Sequence, residues 1–389
     1  MKININTFKT TPKNLDFKLC IYGELSSKVL DWIYHWNLPV ENVKGFTNID
    51  VSNIEDLSDL FYPENMYEYV DGFSPNLNKN LHIGHISNLV IACALQNMGI
   101  GENFISIMGD TLDGEVDQKE AYSNYENLCL KFNYKLGDIY YASKMIYNGE
   151  MVDGKGDYEG TKVFEIGDEK IVGLKNTGHT TYFYQDVALA SNLKAPTLYL
   201  TGFEQEGHFT LLKKMFPDID HLPLGLVMYN SCKMSSSKGN VIFASDLLKT
   251  FVDMFECEQV AVNVLIGIFL KSKTGSIKNV NTKEIKNPKN SPGLYLSYTL
   301  AHIKSAGMSN NKLEKFNSKK LQYLYLKAKH QLCPSILLDG LIDTCKEINN
   351  HYMNLTIKDN LENQLIYQPL FDDLAHGMKM LGMHLIKKV

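Results

Sequence analysis

Two short segments combine residue types that could manage the charge of a phosphorylated substrate. Residues 82–85 read His-Ile-Gly-His and begin a stretch of helix-forming sequence, and residues 233–240 read Lys-Met-Ser-Ser-Ser-Lys-Gly-Asn. Imidazoles at the start of a helix offer donors where the helix dipole favours an anion, and Lys233 and Lys238 supply positive charge. Each segment alone is weak, because such a histidine pair is usually structural and such a loop is usually a solvated turn. Together they predict a site that stabilises negative charge developing on a phosphate.

The elements around the first segment alternate between strand-like and helix-like sequence. Strand-like segments occupy residues 67–73, 104–108 and 197–201, and an apolar helix is predicted from His85 to Met98, closed by a glycine. This alternation predicts an α/β fold, a Rossmann-like domain with a doubly wound sheet.

Three regions are predicted along the chain. Residues 1–68 form a short amino-terminal region, 69–270 the Rossmann-like catalytic domain, and 271–389 an all-α helical bundle. The lysine- and asparagine-rich stretch 271–290 is the predicted linker. Three helix starts are also predicted: Ser26 begins a helix that runs to Trp36, Ser291 and Pro292 begin the first helix of the bundle, and Pro369 begins the last.

The composition excludes several classes of protein. The chain is 44% hydrophobic and carries a net charge of −5, which argues for a globular protein and against indiscriminate nucleic-acid binding. No apolar run reaches the length of a membrane span, and the seven cysteines contain no CxxC pair, so we expect a cytoplasmic protein without a zinc site. All 39 basic Lys and Arg positions are lysine, whereas about 20 arginines would be ordinary.

Further segments make the chain similar to class I aminoacyl-tRNA synthetases, and among them to arginyl-tRNA synthetases. The two motifs resemble the family signatures HIGH and KMSKS. The segments that carry the likeness to the arginyl enzymes are 71–85, 181–188, 202–209, 225–228 and 294–305. The resemblance runs from about residue 68 to the end and is strongest in the catalytic part.

The resemblance implies a role for each matching residue. The catalytic residues would be His82, His85, Lys233 and Lys238. ATP would be bound by His82, Gly84, His85, Gly202, His208, Val227, Met228, Lys233 and Ser235. Arginine would be bound by Asp71, Ser74, Asn76, Tyr182, Asp186 and Gln205. For His208, orienting the ribose and merely packing are equally good interpretations. The arginine set also suits the ligand, because a guanidinium is a charged planar fork that calls for carboxylates and a flat aromatic wall.

Three departures from the family pattern stand out. The second lysine of KMSKS falls on Ser236, and Lys238 follows two residues later. The segment before the catalytic motif is shorter than the amino-terminal tRNA-contacting domain of the family. Positions that commonly carry arginine hold Ser87, Gln185 and His302.

The implied function is ATP-dependent activation of L-arginine, with Mg²⁺, and its transfer to tRNA(Arg), in a monomer whose activation step itself needs tRNA. The resemblance also implies that the helical domain 271–389 is anticodon-binding-like. The absence of arginine suggests a backup or resistance form. Two alternatives stay open: a paralogue that passes activated arginine to a small molecule or peptide, and an inactive regulator that binds tRNA or arginine.

Overall fold

The computed structural model describes residues 1–8, 18–62, 66–110, 117–233, 241–354 and 360–386. The chain divides into two compact units. One comprises 66–262 and 274–284, and the other comprises 1–65, 263–273 and 285–389. No helix of the described residues combines the length and apolar character that a membrane span requires.

The strands, in chain order, are β1 (Lys18–Tyr22), β2 (Val40–Val43), β3 (Phe46–Asp50), β4 (Tyr69–Asp71), β5 (Asn103–Met108), β6 (Asp138–Tyr141), β7 (Val152–Asp153), β8 (Lys162–Ile166), β9 (Glu169–Leu174), β10 (Thr197–Gly202), β11 (Ile219–Leu224), β12 (Val227–Tyr229), β13 (Cys232–Lys233) and β14 (Lys278–Val280). The helices are α1 (Ser27–His35), α2 (Ile83–Asn97), α3 (Gln118–Lys131), α4 (Tyr182–Leu193), α5 (Glu206–Met215), α6 (Ala244–Phe255), α7 (Glu258–Leu270), α8 (Pro292–Ser305), α9 (Lys319–His330), α10 (Ser335–Asn354) and α11 (Leu361–Met380).

The first unit is built on a five-stranded parallel sheet in the order β11-β10-β4-β5-β6. The central strands are almost wholly buried, as expected when helices cover both faces of a parallel sheet. Tyr199 packs in the apolar cluster that contains Val187 of α4, and its neighbour Leu200 accepts a hydrogen bond from Asn88 of α2. The predicted Rossmann-like α/β domain is confirmed.

The strand order reverses beside β4. This strand pairs with β5 on one side and with β10, more than a hundred residues later in the chain, on the other. Ligands of open α/β sheets bind at such a switch point, beyond the carboxyl ends of the strands. The predicted helix after β4 is confirmed, although it begins at Ile83, and Gly99 follows it with a φ of 74°.

Two small sheets complete this unit. Strands β7, β8 and β9 form an antiparallel sheet whose Phe164 and Ile166 pack into the α4 cluster. Strands β13, β12 and β14 form the other, with β14 parallel to β12. The stretch predicted as a linker therefore contains a paired strand, because Lys278 and Val280 are buried there beside β12.

The second unit combines the amino-terminal sheet β1-β3-β2 and α1 with the carboxy-terminal helices. The Phe61 ring lies 6.2 Å from that of Tyr323 on α9, and Lys319 donates to the carbonyls of Ile54 and Glu55. The amino-terminal residues thus share the apolar core of the helical unit. The predicted helix that begins near Ser26 is confirmed as α1.

The predictions for the later helices meet different outcomes. The prediction that Pro292 begins a helix is confirmed by α8. The prediction that Pro369 begins the last helix is wrong, because α11 begins at Leu361 with Asn360 as its cap and contains the proline. The carbonyl that loses its helical partner belongs to Leu365, whose side chain is 76% exposed, so water can satisfy it. The buried stripe after the proline offsets the remaining cost.

Candidate active site

The two histidines of the first motif lie at the amino terminus of α2. Nδ1 of His82 accepts from the Gly84 N–H at 3.1 Å, and Nδ1 of His85 accepts from the His82 N–H at 2.9 Å. The rings are 4.0 Å apart between centroids. Burial lowers the pKa of His82 and lowers that of His85 to about 3. Both rings are therefore neutral with the proton on Nε2, so each presents one N–H donor.

The missing side chain of Gly84 leaves space for the ring of His82. A Cβ atom at this position would lie 2.9 Å from Cε1 and 3.1 Å from Nδ1 of the His82 ring. The glycine thus makes room for the imidazole that caps the helix, in addition to lining the cavity described below.

The first backbone amides of α2 already have partners. Ile83 donates to the carbonyl of Ile242 at 3.0 Å, and His85 donates to the carbonyl of His82 at 2.8 Å. His82 also pairs with Phe243 as an antiparallel bridge. An anion at this helix end would therefore meet the imidazole Nε2–H groups, and the helix dipole would add to their effect.

A cavity of about 430 Å³ lies at the carboxyl edge of the sheet. Residues predicted from the sequence that line it are Ser74, Asn76, His82, Gly84, His85, Gly202, Gln205 and Val227. Lining residues that the sequence analysis missed as site residues are Ser87, Asn88, Leu200, Thr201, Glu204, Leu224, Gly225, Leu226 and Val241. Among the described lining residues, Glu204 alone carries a formal charge at neutral pH. The buried Ser87 hydroxyl has no hydrogen-bond partner among the described residues.

Glu204 had one signal in the sequence: it stands between Gly202 and Gln205, which were both predicted. Its carboxylate lies over Gly202, where an added Cβ would meet Oε1 at 2.2 Å. The absence of a Cβ at Gly202 therefore leaves room for the Glu204 carboxylate, which lines the cavity.

Asp71 ends β4 and is only 3% exposed. Ser74 Oγ donates to its Oδ1 and accepts from the Ile107 N–H at 2.7 Å. Ser74 thereby orients the carboxylate. Desolvation raises the pKa of Asp71 to about 7, against the hydrogen bond from Ser74, which lowers it, and the nearby Asp186 raises it further.

Asp186 faces the same region from α4. Tyr182 and Asp186 are one helical turn apart and share a face, as their spacing predicts. Burial raises the pKa of Asp186, while His208, whose Nε2 lies 2.7 Å from Oδ2, lowers it. Two interpretations of His208 were left open, orienting the ribose and packing, and neither includes its contact with Asp186. His208 is also not among the residues that line the cavity.

Tyr199 joins this buried group from β10, where it is paired in register with Asp71. Paired residues of adjacent strands have their side chains on the same face of the sheet. The Tyr199 hydroxyl is fully buried and has no hydrogen-bond partner among the described residues. Two carboxyl groups and this hydroxyl thus lie in one desolvated region.

Asn76 connects the cavity to this region. Its Nδ2 donates to the Tyr182 hydroxyl at 3.1 Å, and it pairs with Gly109, where a Cβ would lie 1.9 Å from its Oδ1. Asn76 is therefore held between the cavity and the start of α4.

The second motif is described only in part. Lys233 is exposed on β13 and is paired across the hairpin with Met228. Ser235, Ser236 and Lys238 lie outside the described residues. Among the described residues, no group of three or more His, Cys, Asp or Glu side chains could hold a metal ion.

The sequence matches no protein-family profile. It is similar to the arginine–tRNA ligase of Lactobacillus johnsonii, with 27% identity over 329 residues that cover 71% of this chain and 59% of the relative. The arginine–tRNA ligase of Clostridium kluyveri is 25% identical, covering 71% and 59%. This chain thus spans about 59% of the length of these curated relatives.

Solved structures resemble the fold over nearly the whole chain. The Thermus thermophilus arginyl-tRNA synthetase gives a TM-score of 0.63 at 14% identity and covers 96% of both chains. The Plasmodium falciparum enzyme gives 0.62 at 14%, covering 97% of this chain and 96% of its own. The sequence relatives and the shared fold together support a protein that resembles the class I aminoacyl-tRNA synthetases. Within that class, its sequence relatives make it an arginyl-tRNA synthetase-like chain.

Proposed function

We propose that this chain activates L-arginine with ATP to arginyl-adenylate and transfers the arginine to tRNA. The observation that carries the proposal is the placement of two carboxyl groups, the buried Asp71 and the partly buried Asp186, at the same sheet edge as the neutral pair His82 and His85. The first pair suits a cation, and the second pair suits a phosphate.

The two carboxyl groups each have one oxygen available. Ser74 occupies Oδ1 of Asp71, and His208 occupies Oδ2 of Asp186, so the other oxygen of each has no partner among the described residues. A guanidinium, with five N–H donors in one plane, can bridge two such oxygens. A lysine ammonium is a compact point charge and would leave one carboxylate underpaired, which supports selection of arginine.

The activation step uses the cavity. In this proposal the arginine carboxylate oxygen attacks the α-phosphorus of ATP, and the bond from that phosphorus to the bridging oxygen of pyrophosphate breaks. The Nε2–H groups of His82 and His85 donate to the phosphate oxygens where negative charge develops, and Lys233 balances the departing pyrophosphate. In the second step a terminal ribose hydroxyl of tRNA attacks the arginyl carbonyl, and AMP leaves.

We further propose that Mg²⁺ enters with ATP. Mg²⁺ usually keeps several waters and is held through substrate phosphates with few protein ligands. Glu204, which lines the cavity, is the described carboxylate placed to contribute one ligand directly or through water.

The test is ATP–pyrophosphate exchange with each of the twenty amino acids, with and without tRNA, followed by tRNA charging. We expect arginine alone to give a signal, and only with tRNA present. A signal from another amino acid would overturn the arginine pocket. Adenylate without charged tRNA would establish the alternative of a different acceptor, and no signal at all would favour a binding-only regulator.

We infer from the absence of arginine in the sequence that the chain serves when arginyl-tRNA is scarce, because ribosomes can complete it without that tRNA. The rival explanation is base composition of the genome. If unrelated proteins of the same genome also average close to zero arginine, the functional explanation is wrong.

A further inference from the structure

The hairpin that carries Lys233 turns through two residues with unusual backbone. Asn230 and Ser231 join β12 to β13 with φ values of 47° and 65°. Two-residue hairpin turns with both φ angles positive favour Asn followed by Gly. Asn230 fits that preference. Ser231 stands where glycine is favoured, and a positive φ strains the backbone of a residue that carries a side chain.

The side chain of Asn279 on β14 forms two hydrogen bonds to Ser231. Its Oδ1 accepts from the Ser231 N–H at 2.9 Å, and its Nδ2 donates to the Ser231 hydroxyl at 3.2 Å. The serine side chain that glycine would lack is therefore the one that Asn279 binds. Asn279 is also the neighbour of Met228 across the sheet, and Met228 is in turn paired with Lys233.

The rest of β14 and the residues after it hold the other half of the turn. The Asn230 N–H donates to the carbonyl of Val280 at 2.9 Å, and Asn230 Oδ1 accepts from the N–H and hydroxyl of Thr282 at 3.0 and 3.2 Å. Val280 is fully buried and anchors the strand. The turn is thus fixed from a segment that lies some fifty residues away in sequence.

We propose that Asn279 is a positioning residue for Lys233: its amide clamps the hairpin turn and so fixes where that lysine meets the phosphates of ATP. This inference rests on the proposed function. The turn residues and Asn279 are exposed, so the contacts between them do not serve to fill the apolar core. Misplacing a charged group by about 1 Å can cost about a hundredfold in rate, which makes such a clamp consequential.

The test compares three full-length variants by arginine-dependent pyrophosphate exchange with tRNA. Asn279→Leu removes the clamp and leaves no buried cavity. Asn279→Asp keeps an acceptor for both the Ser231 N–H and its hydroxyl. Asn281→Leu is the matched control, because the Asn281 side chain accepts from the Lys283 N–H of its own segment. Hydrogen exchange of the Ser231 amide reports release of the clamp directly.

We expect Asn279→Leu to lower kcat by about tenfold and to leave KM for arginine within about twofold, since Asp71 and Asp186 lie on other elements. Asn279→Asp should restore most of kcat, and Asn281→Leu should match the parent. Faster exchange of the Ser231 amide with unchanged kcat would overturn the proposal, as would an equal loss in Asn281→Leu. If the parent protein shows no arginine-dependent exchange, the proposed function itself fails, and the clamp fails with it.

Discussion

Nε2 of His208 lies 2.7 Å from Oδ2 of Asp186, and this contact lowers the pKa of a partly buried carboxyl group that desolvation raises. A hydrogen bond to a charged group contributes about 1.5–3 kcal/mol. We therefore predict that His208→Ala raises KM for arginine by about tenfold or more, because a larger fraction of Asp186 becomes protonated. Steady-state exchange kinetics measure this. His208→Gln, which can place an N–H near the same oxygen, should lose less.

His221 is the matched control for that experiment. The His221 ring stacks on the ring of Phe209, which follows His208 in the chain, with the centroids 4.5 Å apart. His221 hydrogen-bonds to Thr201 rather than to Asp186. An equal rise in KM for His221→Ala would mean that lost ring packing explains both variants.

The pKa of Asp71, raised by desolvation to about 7, makes arginine affinity depend on pH near neutrality. The guanidinium binds the ionised carboxyl, so we predict that affinity is lost as pH falls through 7, approaching about tenfold per pH unit at lower pH. Calorimetric titration of arginine between pH 6 and 8 tests this, with Asp71→Asn as control. That variant should bind weakly and without the slope. A slope that survives in Asp71→Asn would assign the titration to another group.

Tyr199 carries a buried hydroxyl without a partner among the described residues, a costly arrangement in the unliganded protein. We predict that Tyr199→Phe raises the free energy of unfolding by about 1 kcal/mol, because the hydroxyl no longer has to be desolvated. Urea denaturation measures it. Tyr134→Phe, at another buried tyrosine whose hydroxyl has no hydrogen-bond partner among the described residues, should do the same. Destabilisation of Tyr199→Phe alone would show that its hydroxyl has a water or ligand partner.

Lys233 is exposed on β13, far in sequence from the arginine-binding residues. We predict that Lys233→Ala lowers kcat by about a hundredfold with little change in KM for arginine, because the loss is confined to transition-state charge. Single-turnover adenylate formation checks the result. Lys213→Ala, which removes an exposed lysine paired with Asp220, is the control and should be near the parent. An unchanged turnover number for Lys233→Ala would remove the motif from the mechanism.

Part of the geometry of the candidate site could be predicted because local spacing encodes it. The pair His82 and His85 falls at the start of an apolar helix, and Tyr182 and Asp186 fall one turn apart. Periodicity also located the central strands, whose buried residues form continuous apolar runs. What spacing could not supply was the burial that keeps both rings neutral and the hydrogen bonding at Nδ1 of each histidine, which decides that the proton lies on Nε2.

The contacts that were missed join residues far apart in sequence. His208 is 22 positions from Asp186, and Asn279 is 48 from Ser231. The packing of Phe61 on Tyr323 likewise has no signal in the local sequence, although it helps to join the amino-terminal residues to the helical unit. At Pro369 a strong local rule gave way to burial of the residues that follow it.

Because the two histidines are neutral, they add no positive charge to balance the acids near the cavity. With Asp71, Asp186 and Glu204 as its acids, the unliganded region is anionic, and under the proposed function it must accept the polyanion ATP. Arginine brings the missing counter-ion, so each substrate lowers the electrostatic cost of admitting the other. By thermodynamic reciprocity the two gains are equal. The amino acid is then both a reactant and part of the electrostatic scaffold in which the nucleotide reacts.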